Sequence, residues 1–138
     1  MVRLDAVLDS WKSIRAGSAQ AVDDFPADDL DFRLTPELMT FRELALHILN
    51  SGKALAGLLL NGEEQTAEPD FREKIKQYYS TLPADAGAAG LAQAMRRALE
   101  EAAPKLAAQN PEFYSVLISR FDGREVTRLE MLAGDQRA

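Results

Sequence analysis

Cysteine is absent from this 138-residue chain, which excludes disulfides, thiolate nucleophiles and cysteine-ligated metals. Histidine and tryptophan occur once each, at His47 and Trp11, so any Ser-His-Asp relay has a single imidazole to draw on. The longest apolar run, Ala54 to Leu60, falls far short of the ~20 residues of a membrane span. The opening residues Met1-Val2-Arg3-Leu4-Asp5 hold no apolar leader core. These absences predict a cytoplasmic protein with no membrane partner. Positive charge is also scarce, with 16 Lys and Arg against 22 Asp and Glu and a net charge of −6. The densest basic pair, Arg96-Arg97, is followed by Glu100-Glu101. That balance argues against a nucleic-acid partner, because such binding rests on neutralising phosphates. No P-loop, dinucleotide glycine fingerprint, Gly-x-Ser-x-Gly elbow or His-Glu-x-x-His pair is present. Gly87 and Gly90 sit in an Ala-rich run that follows no strand.

What remains is a helix-forming composition. Apolar residues make up 46% and charged residues 28%, the balance of a globular protein. Ala, Leu, Glu, Arg and Gln are abundant while β-branched residues are few, so the expected fold class is all-α. Residues 1–138 suffice for one domain and are too few for two.

Leu4, Val7, Trp11, Ile14, Ala21 and Phe25 recur at helical spacing and predict a helix from about Val2 to Asp24, stopped by Pro26. The acidic, proline-flanked stretch Phe25 to Pro36 reads as a linker across one end of the helices. It lacks the glycine and distal glutamate of a calcium loop. Thr40-Phe41-Arg42-Glu43 is a capping box opening a second helix to about Leu60, with Phe41, Leu44, Ile48, Leu55 and Leu59 inward. Asn61-Gly62 ends it. Asp70 can cap a short helix carrying Phe71, Ile75 and Tyr78. A long helix is expected from about Ala84 to Gln109, with Leu91, Met95, Ala98, Leu99, Ala102 and Leu106 inward and a kink or break at Pro104. Residues 113–126 permit two readings. Asp122-Gly123 invites a β-hairpin, but an isolated hairpin is marginal, and the Leu129, Met131, Leu132 pattern favours helix from Glu125 to Ala138. The expectation adopted is helix after Gly123.

His47 is the one residue that invites a specific chemistry. Its spacing puts it at the edge of the inner stripe, near Leu44, Ser51, Ala54 and Leu58. An imidazole there can point into the interior of a helical bundle, where metal sites are built. The alternative is a partly buried histidine with one hydrogen bond, since one histidine is not a site. Trp11, Tyr78, Tyr79 and Tyr114 are candidates to line a pocket, although aromatics at helical spacing more often form core.

The segment Pro36-Glu37-Leu38-Met39-Thr40-Phe41-Arg42-Glu43-Leu44-Ala45-Leu46-His47 resembles the entry into the second helix of the DinB-like family. Trp11 to Arg15, Asp31 to Thr35 and Phe121 to Leu132 extend the resemblance over nearly the whole chain. It implies an antiparallel four-helix bundle with a short last helix, commonly a homodimer. It implies metal-dependent activities, often transfers or isomerisations that use a low-molecular-weight thiol. It also implies a divalent metal, zinc or nickel, held by three histidines, with His47 at the position of the first. The other two belong to a His-x-x-x-His segment on the last helix, which these 138 residues do not contain. The expectation is therefore an incomplete ligand set in this chain. The alternative is a metal-free binding or structural module.

Overall fold

The computed structural model describes residues 3–62, 70–120 and 123–134. Three helices of twenty residues dominate: α1 (Leu4–Asp23), α2 (Phe41–Leu60) and α4 (Ala88–Ala107). Shorter elements are α3 (Phe71–Ile75), α5 (Pro111–Ser115), the strands β1 (Leu117–Ser119) and β2 (Glu125–Thr127), and α6 (Arg128–Gly134). Short 3₁₀ turns occupy Ala27–Asp29 and Lys76–Tyr78. No described helix is long and apolar enough to cross a membrane.

Packing fixes the helix directions. At one end Ala19 and Val22 of α1 meet Ala45 and Leu49 of α2 and Leu91, Ala92 and Met95 of α4. At the other, Val7 and Trp11 meet Leu59 and Leu106, together with Tyr114, Ile118 and Leu132. Thus α1 runs antiparallel to both partners, whereas α2 and α4 run parallel, joined by the long connection that carries α3. The expectation of a wholly antiparallel bundle is corrected on this point. The seven-residue α6 joins the second of these clusters through Leu132.

The linker is fastened to the N-terminal ends of α2 and α4. Phe25 stacks on Phe41 with ring centroids 3.5 Å apart. Arg42 forks onto Asp31 at 3.0 and 3.2 Å and donates to the Asp85 carbonyl at 2.6 Å. The capping box of α2 forms as read: Glu43 N donates to Thr40 Oγ1 at 3.1 Å, and Thr40 N donates to Glu43 Oε1 at 3.4 Å. Gly62 closes the helix with φ +72°, a left-handed conformation suited to glycine.

Three expectations are corrected. First, α4 passes through Pro104 as one helix, so the break among the two outcomes expected there does not occur, and it ends three residues later. The acceptor that proline leaves open is the carbonyl of Glu100, an exposed position where water can replace the lost donor. Second, the hairpin rejected above is formed. Leu117, Ile118 and Ser119 pair with Thr127, Val126 and Glu125, and Gly123 adopts φ +85°; Asp122 lies outside the described residues. Ile118, 3% exposed, belongs to the main core, so the ribbon is not isolated and burial supplies what two strands alone lack. Third, helix starts at Arg128 rather than Glu125, behind a second capping box. Glu130 N donates to Thr127 Oγ1 at 3.1 Å and Thr127 N donates to Glu130 Oε1 at 3.0 Å.

Candidate functional site

Of the residues expected inward on α2, Leu59 is core and Phe41, Ile48 and Leu55 pack against it, but Leu44 does not. Ala45, Leu49, Ala56 and Leu59 are buried, while Leu44 is 42% exposed. The face turned to α1 and α4 mixes small residues that let the helices approach with the buried Leu49 and Leu59, and Phe41, Ile48 and Leu55 pack half-buried against the same core. His47 follows the buried Ala45 by two residues, about 200° around the helix, and is exposed. Its Nε2 lies 3.5 Å from Ser51 Oγ, at the limit of a hydrogen bond. Of the two readings of His47, the ring thus lies outside the interior, with one contact to a hydroxyl. Among the described residues no three His, Asp or Glu side chains gather as metal ligands. One exposed imidazole beside a hydroxyl does not fit the three- or four-ligand set that zinc sites require.

The interior carries its polar groups elsewhere. Between α1, α2 and α4 lies a pocket of about 30 Å³ walled by Trp11, Leu49, Met95 and Leu99, with Arg15 and Lys53 at its rim. Arg15 crosses from α1 and donates to the Ile48 carbonyl at 3.2 Å. Its guanidinium lies against Gly52, where a Cβ would stand 2.8 Å from Nη1. The absence of a side chain at Gly52 is what lets a cation reach the α2 backbone. Trp11, 3% exposed, is the aromatic wall of this pocket, whereas Tyr114 is core, with its hydroxyl on the Leu106 carbonyl. Burial pushes the Tyr114 phenol up to about 12.

Tyr78 closes the outer side of α2. Its ring packs on Gly57, and Asn61 Nδ2 donates to its hydroxyl at 2.7 Å. Tyr79 is 37% exposed. Lys53 and Tyr78 share the wall of a hollow of about 220 Å³. Lys53 also borders a second hollow of about 300 Å³ beside Ser80 and Arg97. Sequence reading singled out Tyr78 but gave Lys53, Arg15 and Arg97 no place in a site, because cations on amphipathic helices ordinarily mark a solvated face.

No family model matches the chain, and no curated protein matches it. Two solved structures do. The mycothiol-dependent maleylpyruvate isomerase is 19% identical with a TM-score of 0.71, and a histidine-to-alanine mutant of it is 18% identical with a TM-score of 0.72. Each alignment covers 99% of this chain and 57% of the enzyme, so the chain spans little more than half of that protein's length. What the likeness establishes is the fold: these helices have the DinB-like arrangement seen in a mycothiol-dependent isomerase.

Proposed function

We propose that this chain is a DinB-like helical module, akin in fold to thiol-using enzymes, that binds a small molecule and holds no catalytic metal through its described residues alone. The observation that carries this reading is the placement of His47, exposed and, among the described residues, reached only by the Ser51 hydroxyl at 3.5 Å. A lone imidazole binds divalent metals weakly, since tight sites converge several ligands. The neighbour's dependence on mycothiol supports a small thiol or similar molecule as ligand. The hollows around Lys53 give such a ligand a place.

A second reading is a metal-dependent enzyme in which His47 is one ligand and a second copy or residues outside the described set complete the shell. The exposure of His47 favours it, because the ring is open to an incoming partner. Zinc and nickel titration of the chain and of His47→Ala, followed calorimetrically and by elemental analysis, separates the two. Binding no tighter than in the variant supports the module. Stoichiometric binding lost on substitution overturns it.

We further propose a homodimer, supported by the exposed apolar side chains of Ile14 and Leu44 on the long helices and of Phe32, Leu34, Leu38 and Met39 in the linker. Light scattering coupled to gel filtration tests this, with Leu44→Glu expected to shift the mass toward one chain.

A further inference from the structure

Lys53 stands where three hollows meet. Inward is the pocket walled by Trp11 and Met95. Along the helices in one direction the 220 Å³ hollow runs past Gly57, Tyr78 and Lys105. In the other, the 300 Å³ hollow runs past Ser80, Thr81 and Arg97. Ala98 borders all three. Ligand pockets commonly measure about 300–1,000 Å³, so the outer groove is of useful size while the inner pocket is not.

The charges in this groove are unusual for the chain. Arg97, Glu101 and Lys105 follow one another at four-residue steps and share a face of α4. That spacing invites Arg97–Glu101 and Glu101–Lys105 ion pairs, yet neither forms among the described residues, and Lys53 pairs with no acid there either. Among the described residues, three cations thus face one carboxylate in a chain of net charge −6. Elsewhere the exposed cations are largely paired, as in Arg33–Glu43, Arg96–Asp23 and Lys76–Glu73. A concave, partly apolar surface concentrates the field of such unpaired cations and favours an anion. Below the Lys53 ammonium the wall is hydrocarbon, from Ala56, Ala98 and Ala102, and Tyr78 closes its far side.

We infer that this groove binds a small organic carboxylate with an apolar body. The carboxylate sits between Lys53 and Arg97, and the body lies over Ala98 and Ala102 toward Tyr78. Glu101 opposes the anion and limits its affinity. This inference rests on the small-molecule reading above and specifies the ligand's chemistry.

The test is a titration of the full chain with 4-phenylbutyrate, its neutral amide and inorganic phosphate, read by amide chemical shifts and calorimetry. The carboxylate is expected to shift resonances of Lys53, Arg97, Ala98 and Ser80. Lys53→Met and Arg97→Gln should each weaken it about tenfold or more, as loss of a charge-assisted bond does, with the thermal midpoint unchanged. Glu101→Gln should tighten it severalfold, which a purely structural role for these residues does not produce. Phosphate should bind far more weakly, lacking the apolar body. The inference is overturned if Lys53→Met binds as well as wild type, if phosphate equals the carboxylate, or if the shifts map elsewhere. Equal binding of the amide in the same groove sinks the anion but keeps the small-molecule reading. Absence of binding by both organic probes to about 10 mM, weaker than roughly 3 kcal/mol, removes both.

Discussion

Replacing Gly57 by alanine reverses the sign that helix propensity predicts. Gly57 lies inside α2, where alanine is better than glycine by about 0.8–1 kcal/mol. A Cβ built on Gly57, however, falls 2.2, 2.5 and 2.6 Å from Cδ1, Cε1 and Cγ of Tyr78. These atoms are the body of a ring, not the end of a flexible chain, so the whole tyrosine must leave. Its departure forfeits the Asn61–Tyr78 hydrogen bond, about 1 kcal/mol, and the half-buried ring surface, about 1–2 kcal/mol. Gly57→Ala should therefore destabilise by about 1–2 kcal/mol after the propensity gain is subtracted. In a Tyr78→Ala background the obstacle is gone, and the same substitution should stabilise by about 1 kcal/mol. Gly52→Ala is the control. Its Cβ meets only the guanidinium of Arg15, at 2.8 and 2.9 Å, a flexible tip that can swing away, and its cost should stay within about 1 kcal/mol. Urea unfolding monitored by circular dichroism measures the wild type and all four variants. Stabilisation by Gly57→Ala in the wild-type background, or destabilisation in Tyr78→Ala, would refute the reasoning.

Three further outcomes are expected. Thr40→Ala should lower stability by about 1 kcal/mol in urea unfolding, because it removes the hydroxyl that caps α2. The Tyr114 phenol, pushed to about 12 by burial, should ionise late in an absorbance titration at 295 nm. Its folded pKa lies above the ordinary 10, so the native state retains a proton that the unfolded chain releases; stability should fall as pH rises from 10 toward 12, and Tyr114→Phe should lose that slope. Glu130 is held below its ordinary 4.5 by the backbone amide of Thr127 and then by its hydroxyl. A depressed carboxylate stabilises above its unfolded pKa and loses that contribution as pH falls through the folded one. The stability difference between wild type and Glu130→Gln should accordingly be present at pH 7 and vanish in strong acid.

Helix boundaries were legible wherever punctuation was local. The Thr40–Glu43 box and Asn61-Gly62 located both ends of α2 from side-chain chemistry alone. The same signature, Thr127-Arg128-Leu129-Glu130, was present at the start of α6 and was overlooked, which let the helix expectation run back to Glu125. Its recognition would have freed Glu125–Thr127 to pair with Leu117–Ser119. Asp122-Gly123 signalled the hairpin locally, but what stabilises it was not legible there, because it comes from Ile118 packing with Leu59, Leu106 and Leu132, residues distant in the chain.

The candidate site was less legible, and the cause lies in which side chains line a close helix seam. Reading α2 by its large residues placed Phe41, Ile48, Leu55 and Leu59 against the core but added the exposed Leu44, which widened the inferred interior toward His47. The seam is lined by Ala45, Gly52 and Ala56, which lie adjacent to α1 or to the inner pocket, because close packing of backbones needs small side chains. From Ala45, His47 lies about 200° away while Lys53 lies about 80° away. One fixed rotation of the helix therefore turns the imidazole outward and brings the lysine to the edge of the α2–α4 seam. The exposure of His47 and the position of Lys53 at three hollows are then two consequences of one packing choice, and they move together under mutation. Enlarging Ala45 to leucine should push α2 away from α1 and α4 at its N-terminal end. Both His47 and Lys53 resonances should shift, whereas Leu44→Ala, on the exposed side, should perturb His47 and leave Lys53 unchanged. A Lys53 response to Leu44→Ala equal to that from Ala45→Leu would show that the seam does not set the helix rotation.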